Sequence, residues 1–355
     1  MTAAPQDDAR ARVAIIIVNW NNWRDCVECL DSLLGLSYHD FHIFLVDNDS
    51  ADGSVERIAE WCGTPSGNKI WRRHDGVQRL TDDPENCRVG IPFEIAERPE
   101  APIVPSSTSI RVSIIKSGRN LGYAGGCNVG IRAAGLENFT YFWFLNGDTV
   151  VHRDALSALV SRANRSEGVG MVGSTLRFYD QPDRVQAMGG GQLDLKTMSA
   201  AHIGVGLRAE QVPSGMSDAL EVERRLIYIF GASMLVTRSF IEKVGLMQED
   251  YFLYYEEFDW AMRGRGSFSL GYAADSHIFH KSGASSSKIM PVFTARYYYR
   301  NRIRFFSRFF PAHMASVKRG LIYDFIRHTL RGRWNMARIV AEALRDAPRL
   351  TVRHP

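Results

Sequence analysis

Apolar positions along this chain fall into two kinds of run. Val13–Val18 (VAIIIV), Phe41–Val46 (FHIFLV), Arg111–Ile115 and Tyr141–Leu145 are short, nearly unbroken apolar stretches. Between them, up to Leu34, over Val55–Trp61 and over Gly118–Ala134, the pattern turns helical. Continuous apolar strands alternating with helices predict a mostly parallel sheet covered on both faces, so the expected fold class is doubly wound α/β. Residues 62–111 break this rhythm and hold six of the 13 prolines, which predicts an excursion with a small hairpin. A helix is expected near Asp154–Ala163 and a strand over Met171–Phe178. Gly-punctuated hairpins follow over Met188–Val205, then one strand over Tyr228–Val236 and a helix over Arg238–Val244. Glu256–Arg263 opens a helix, Ser269–Ala273 and His277–Phe279 read as two short strands, and residues 292–346 read as helical. The expected organisation is a domain over 1–289, with 62–110 as an insertion, and a helical extension over 290–355.

Composition narrows the class. The 355 residues are 45% hydrophobic and 23% charged, the balance of a globular chain able to bury a large core. No apolar run approaches the roughly 18–20 residues that span a bilayer. The opening MTAAPQDDARAR lacks an apolar h-region, which argues against a secretory signal. Cys26, Cys29, Cys62, Cys87 and Cys127 form an odd, scattered set, as expected of free thiols in a reducing, cytoplasmic setting. Cys26 and Cys29 make a CxxC pair within a helical pattern, but no second pair or His cluster completes a zinc site. Charge is unevenly spread. From residue 290 onward there are 14 Lys/Arg against 3 Asp/Glu, and the remainder holds 29 against 36. A basic tail on an acidic body implies an anionic partner. Residues 296–310, RYYYRNRIRFFSRFF, suit a helix lying on the anionic inner face of the cell membrane, a helix docked on the body, or a homodimer contact. Nucleic acid is a poorer reading, because no nucleic-acid motif accompanies the charge.

Candidate chemistry gathers at strand ends, where open α/β sheets bind ligands. The strand at Tyr141 stops abruptly in Asn146-Gly147-Asp148. An amide and a carboxylate there suit a hard divalent cation completed by water and substrate phosphates. Asn19 and Asn21 follow the first strand, and Asp47 follows the second. A carboxylate can accept from a pyrimidine ring N–H while amides donate to its carbonyls; equally, Asn and Asp can only shape turns. A dinucleotide fingerprint should follow the first strand, and NWNNW stands there instead, against a nicotinamide enzyme. Asn120-Leu121-Gly122-Tyr123 precedes a helix whose start favours anions, or whose glycines serve tight packing. Glu256, Glu257 and Asp259 crowd a first helical turn. They could complement the helix dipole, pair as Asp259 with Arg263, or supply a general base. His280, followed by Lys281 and a Ser/Gly loop, suits a metal or a diphosphate, or a structural role.

In order, VAIIIVNWNN, FLVDNDSADGS, GRNLGYAGGCNVG, FLNGDTVV, GASMLVTRSFIEKVGL, DYFLYYEEFDWAMR and HIFHKSG resemble the family 2 glycosyltransferases of GT-A fold, over roughly residues 13–60 and 111–285. The similarity is closest to the bacterial rhamnosyltransferase-like branch that builds surface polysaccharides. The resemblance implies a metal-dependent inverting enzyme. Its donor would be a nucleoside-diphosphate sugar, dTDP-rhamnose or a UDP-sugar, and its acceptor a saccharide or polyprenyl-linked saccharide. Asn19, Asn21, Asp47 and Asp49 would line the base and ribose pocket, continued by Asn120, Gly122 and Tyr123. Asp148 would bind Mg or Mn with Asn146 beside it, and His280 would complete that site. Glu257 would be the catalytic base, with Glu256 and Asp259 shaping the acceptor or sugar site. Two departures stand out: Asn146 replaces the first Asp of the family's DxD, and Glu257 replaces the usual Asp. Two rivals share parts of this pattern. A sugar-phosphate nucleotidyltransferase would need a Gly-rich loop with Arg and Lys after the first strand, which is absent, and the other rival is a non-catalytic carbohydrate-binding or scaffold relative.

Overall fold

Alternate side chains of the leading strands leave the sheet on opposite faces, and both faces are covered. Val13, Ile15 and Ile17 of β1 (Val13–Asn19) join one apolar core, while Ala14 and Ile16 join the other. Phe41, Ile43 and Leu45 of β2 (Phe41–Asp47) take the first side, and Phe44 and Val46 the second. This two-sided burial is why these strands read as unbroken apolar runs. The computed structural model describes residues 11–64, 90–99, 101–103, 111–194, 198–212, 216–281 and 292–350.

The first half continues with α1 (Trp23–Leu34), α2 (Ser54–Gly63), β3 (Phe93–Glu97), β4 (Val112–Lys116), α3 (Gly122–Ala134), β5 (Tyr141–Asn146), β6 (Thr149–Val151) and α4 (Ala155–Asn164). Next come β7 (Val169–Phe178), β8 (Gln181–Met188), β9 (Gly190–Asp194), β10 (Ser199–His202), α5 (Met216–Arg225), β11 (Tyr228–Ile229), β12 (Ser233–Thr237) and α6 (Arg238–Val244). The chain ends in α7 (Glu256–Gly264), β13 (Ser269–His280), α8 (Val292–Phe309), α9 (Met314–Leu330) and α10 (Trp334–Leu350). The main sheet runs β3-β4-β2-β1-β5-β12-β7-β13-β6, with β8 on β7; β10-β9-β11 form a small second sheet. The first five strands are mutually parallel. β12 enters antiparallel between β5 and β7. Helices α1, α2 and α4 cover one face, and α3, α7 and the C-terminal helices the other.

Several expectations are corrected. The excursion supplies a single edge strand, β3, parallel to β4, and no hairpin among the described residues. Cys87 and residues 65–89 and 104–110 lie outside the described residues. The strand expected over Tyr228–Val236 breaks into β11 and β12. The Phe230 N–H donates to Gly189 O and the Ser233 N–H to Phe230 O, so the chain turns out of the small sheet into the large one. The two short strands after Ser269 are one, β13, with a register shift between Ala273 and His277. Helix α5 was not expected; Glu223 fixes it by a bidentate pair with Arg162, at 2.7 Å for each bond.

The tail is continuous with the body. Ala295, Tyr299, Ile303, Phe305 and Phe306 of α8 lie in the same core as Tyr255, Phe258 and Trp260, and α9 and α10 add Val317, Leu321, Ile339 and Val340. Segment 296–310 is therefore docked on the body: Asn301 is fully buried, and the Arg302 guanidinium donates to Met198 O at 3.0 Å. No helix of the described residues is long and apolar enough to cross a membrane.

Candidate active site

Register aligns the strand ends. Asn19 pairs with Asp47, Asp47 with Lys116, and Asn146 with Val18, so all four side chains stand at the carboxyl edge of the sheet. The loops after β1 and β2 are stitched together there. Asn19 Nδ2 donates to Asp47 Oδ1 at 2.8 Å, and the Ser50 N–H donates to Asp47 Oδ2 at 3.0 Å. Asn21 Oδ1 accepts from the Ala51 N–H at 2.8 Å. Asn19 and Asp47 are buried, whereas Asn21 and Asp49 are exposed and hold left-handed backbone, with φ of 52° and 63°. Asp47 thus braces the turn, helped by Asn21 Oδ1 on the Ala51 N–H, while Asn21 and Asp49 remain exposed residues at its rim. Asn120 Oδ1 accepts from the Gly122 N–H at 2.9 Å, and Gly122 O accepts from Asn48 Nδ2 at 2.8 Å. Gly122, with φ of 71°, has no room for a side chain: a Cβ there would lie 2.3 Å from Phe252 O. Asn48 and Ser50 were missed in the sequence, although they sit inside the DNDS run that flagged Asp47.

Beneath this row lie the CxxC thiols. Cys26 Sγ donates to Asn19 Oδ1 at 3.2 Å, and Cys29 Sγ lies 3.6 Å from Thr149 Oγ1. Burial pushes both thiols up, Cys29 to about 12, so they remain protonated packing groups. A Cβ on Gly147 would sit 2.4 Å from Cys26 Sγ, so only glycine fits between Asn146 and Asp148.

Asp148 and His280 are brought together because β13 pairs antiparallel with β6, setting His280 opposite Thr149, while the Lys281 N–H donates to Asp148 O at 2.9 Å. His280 Nε2 lies 3.2 Å from Asp148 Oδ1. Gln186 Oε1 lies 2.9 Å from Nδ1; in the tautomer that donates this bond, Nε2 turns a lone pair towards Asp148. A carboxylate oxygen opposite a lone pair suits a proton or a shared cation. Their spacing is close to the roughly 3 Å between neighbouring corners of an octahedron with bonds of about 2.1 Å. No group of three or more His, Cys, Asp or Glu forms among the described residues, so a cation here would take much of its shell from water and substrate. Asn146 adds its side chain at the same edge, and its N–H donates to Ala232 O at 3.1 Å. The Lys281 ammonium is tied to Asp25, at 2.7 Å, and to Glu28 of α1.

The acids arrive by a less regular route. Phe252, Tyr254 and Tyr255 have φ of 62°, 68° and 74°, an uncommon run for non-glycine residues. Asn301 of α8 holds this loop: its Nδ2 donates to Tyr251 O, Leu253 O and Tyr254 O at 2.7, 2.9 and 2.9 Å. Glu256 and Glu257 follow, each with a buried Oε2 that has no hydrogen-bond partner among the described residues. Burial raises Glu257 to about 7; burial and then the neighbouring Glu257 raise Glu256. A Cβ on Gly231 would lie 3.8 Å from Tyr123 Oη and 3.9 Å from the Glu257 carboxyl carbon, and Tyr123 Oη donates to Gly231 O at 2.7 Å. The ring of Phe230 meets His280 edge-on, with centroids 5.8 Å apart. Along residues 230–232, the Phe230 ring thus contacts His280, Gly231 lies beside the Glu257 carboxyl, and Ala232 O accepts from the Asn146 N–H. Asp259 does not join them. It is fully buried, bonded to Arg263 at 2.7 Å, Arg308 at 2.8 Å and the Tyr251 hydroxyl at 3.2 Å, so it ties α7 to α8 and does not reach a sugar. Gln186 and Asn301 carried no signal in the sequence, because their partners lie far along the chain.

The sequence profile of glycosyl transferase family 2 matches residues 14–79 and 101–199. The chain is a glycosyltransferase, similar in sequence to this family. The match covers the sheet edge through Asp148 and stops before Glu256, Glu257 and His280. Among solved structures, a mannosyltransferase from Pyrobaculum calidifontis, PcManGT, determined with GDP-Man and Mn2+, is similar over 97% of this chain and 89% of its own, at 12% identity and a TM-score of 0.55. TarS 1–349 of S. aureus with UDP-GlcNAc matches over 97% of this chain and 93% of its own, at 9% identity and a TM-score of 0.45. Likeness at this level concerns the fold, which is GT-A. No curated protein sequence matches the chain.

Proposed function

We propose that this glycosyltransferase moves a sugar, with inversion, from a nucleoside diphosphate to a hydroxyl of a saccharide or lipid-linked saccharide in surface polysaccharide assembly. The donor is dTDP-rhamnose or a UDP-sugar. The observation that carries the reading is the Asp148–His280 pair at 3.2 Å, with the Phe230 ring against His280 and the Glu257 carboxyl next to the following residue, Gly231, where an added Cβ would lie 3.9 Å from its carboxyl carbon. Asn21 and Asp49 contact base and ribose, braced by Asn19 and Asp47, and the start of α3 at Asn120–Tyr123 faces the phosphates. Asp148 and His280, with Asn146 beside them, would hold Mg or Mn; PcManGT, of the same fold, was solved with Mn2+ and GDP-Man. A divalent cation bound there supplies charge compensation for the departing diphosphate. Glu257 accepts the acceptor hydroxyl proton as that oxygen bonds to the anomeric carbon and the bond to the diphosphate breaks on the opposite side. Its buried carboxyl, poised near neutral pH, suits a general base.

Thermal shift with UDP, dTDP and GDP in manganese identifies the base, and transfer is then measured with the matching donor. Glu257→Gln is expected to lower transfer by about 10²–10⁴-fold with nucleotide affinity unchanged. Turnover within a few-fold of wild type would remove Glu257 from the role. Asp148→Ala is expected to abolish the manganese-dependent part of nucleotide binding, and unchanged binding would reject the cation site.

A further inference from the structure

Helix α9 is apolar on two opposite sides. Val317 and Leu321 point into the core, while Ile322, Ile326 and Leu330, four residues apart, line the outer side. Tyr323 and Phe325 flank that stripe, and Trp334 continues it at the start of α10. Six of the twelve exposed large hydrophobic side chains among the described residues fall within these 13 positions, with Leu330 82% and Trp334 68% exposed. Scattered exposed apolar residues need no explanation, but a concentrated patch marks a binding surface.

The rim of the patch selects its occupant. Lys318 and Arg319 of α9 and Arg331 just after it are exposed; Arg338 of α10 is exposed too but pairs with Glu342 at 3.9 Å. The only acid over residues 314–341 is Asp324, which is neutralised by Arg302 and Arg327 at 3.4 and 2.9 Å. A second copy of the chain would set one basic rim against another, which opposes association. A headgroup layer offers negative charge above and acyl chains below, and Tyr and Trp favour that boundary. We propose that the outer face of α9 and the first turn of α10 is a docking surface for an anionic lipid bilayer, with Ile322, Ile326, Leu330 and Trp334 entering the headgroup boundary. This assignment moves the lipid contact away from residues 296–310, which are spent on the core. Lipid docking is read without turnover, so it stands or falls separately from the transfer reaction.

The full chain is sedimented with vesicles of phosphatidylcholine alone and of phosphatidylcholine mixed with phosphatidylglycerol. Binding to the anionic vesicles is expected to exceed binding to the neutral ones about tenfold or more, and to weaken as salt rises. Ile326→Asp with Leu330→Asp is expected to lower binding at least about tenfold with unchanged melting temperature, as these side chains are exposed. Lys318→Glu with Arg319→Glu is expected to remove the preference for anionic vesicles. Brominated acyl chains are expected to quench the wild type more than Trp334→Phe, a check that does not depend on the aspartate pair folding. Equal binding to both vesicle types, or aspartate variants that sediment like wild type, would overturn the proposal. So would a wild-type dimer that the aspartate pair splits while lipid binding is absent.

Discussion

At the sheet edge, Asn19, Asp47, Lys116 and Asn146 stand in a row because parallel strands in fixed register stop at one level. At the acid end, Glu256 and Glu257 follow a loop with three left-handed, non-glycine residues. Such conformations cost of order 1–3 kcal/mol each and persist only when surroundings hold them. Here the holding groups come from helix α8: Asn301 bonds three carbonyls, Arg300 and Arg304 both donate to Asp250 O at 3.0 Å, and Phe252 stacks on Tyr297 with centroids 4.6 Å apart. A regular sheet aims side chains through its own backbone, whereas the acid loop depends on a helix that lies beyond the residues matched by the family profile. Damage to the tail should therefore fall on transfer, and damage at the sheet edge on nucleotide binding.

The largest separation is expected from Asn301→Leu. It strands buried carbonyls that each cost about 1–3 kcal/mol when unpaired, so melting temperature should fall. The freed loop displaces Glu257, and misplacement on the scale of 1 Å costs about 10²-fold in rate. Turnover should drop by about that factor with nucleotide affinity within a few-fold of wild type. A parallel loss of nucleotide affinity in titration would show that α8 holds both ends, and the contrast would fail. A smaller, opposite effect is expected from Asp47→Ala. It removes one of the two Asn19 Nδ2 bonds, leaving the one to Ser50 Oγ, together with the acceptor of the Ser50 N–H, and loosens both loops, so nucleotide affinity should fall by about tenfold, or 1.4 kcal/mol. Turnover at saturating donor should hold within a few-fold; a larger drop would make the sheet edge part of the chemical step.

The same contrast explains what could be read from sequence. The strands at Val13, Phe41 and Tyr141, and the helices between them, were legible because burial on both faces writes continuous apolar runs, and strand ends then locate Asn19, Asp47 and Asn146-Gly147-Asp148. Tyr228–Val236 was misread as one strand because only small residues, Gly231-Ala232-Ser233, separate its two apolar stretches, while the turn at Phe230–Ala232 is imposed by the bond to Gly189. The tail's alternation of Arg with aromatics in 296–310 left a lipid-facing helix, a docked helix and a dimer contact open. Its arginines in fact meet Asp259, Asp250 and Met198 O, partners that no local pattern reveals. Asp259 was drawn into the site by its neighbours Glu256 and Glu257, yet it points the other way along α7, into a buried pair with Arg308.

The smallest effect tests the burial of the acid end directly. In the folded chain Glu257 is raised from 4.5 to about 7, chiefly by burial, so the native state holds its proton more tightly than the unfolded chain. Between about pH 4.5 and 7 the native state therefore binds more protons, and the contribution of this group to stability falls as pH rises, levelling off above 7. Glu257→Gln cannot ionise and escapes that loss. Its melting temperature should exceed that of wild type at pH 8 and match it at pH 5, measured without nucleotide. In wild type, kcat/KM should climb through about pH 7 as Glu257 loses its proton and becomes able to accept one. The two curves report one ionisation from opposite sides. A flat difference in melting temperature across pH 5–8 would mean that Glu257 is solvated in the free enzyme, and the rise in rate would then belong to another group.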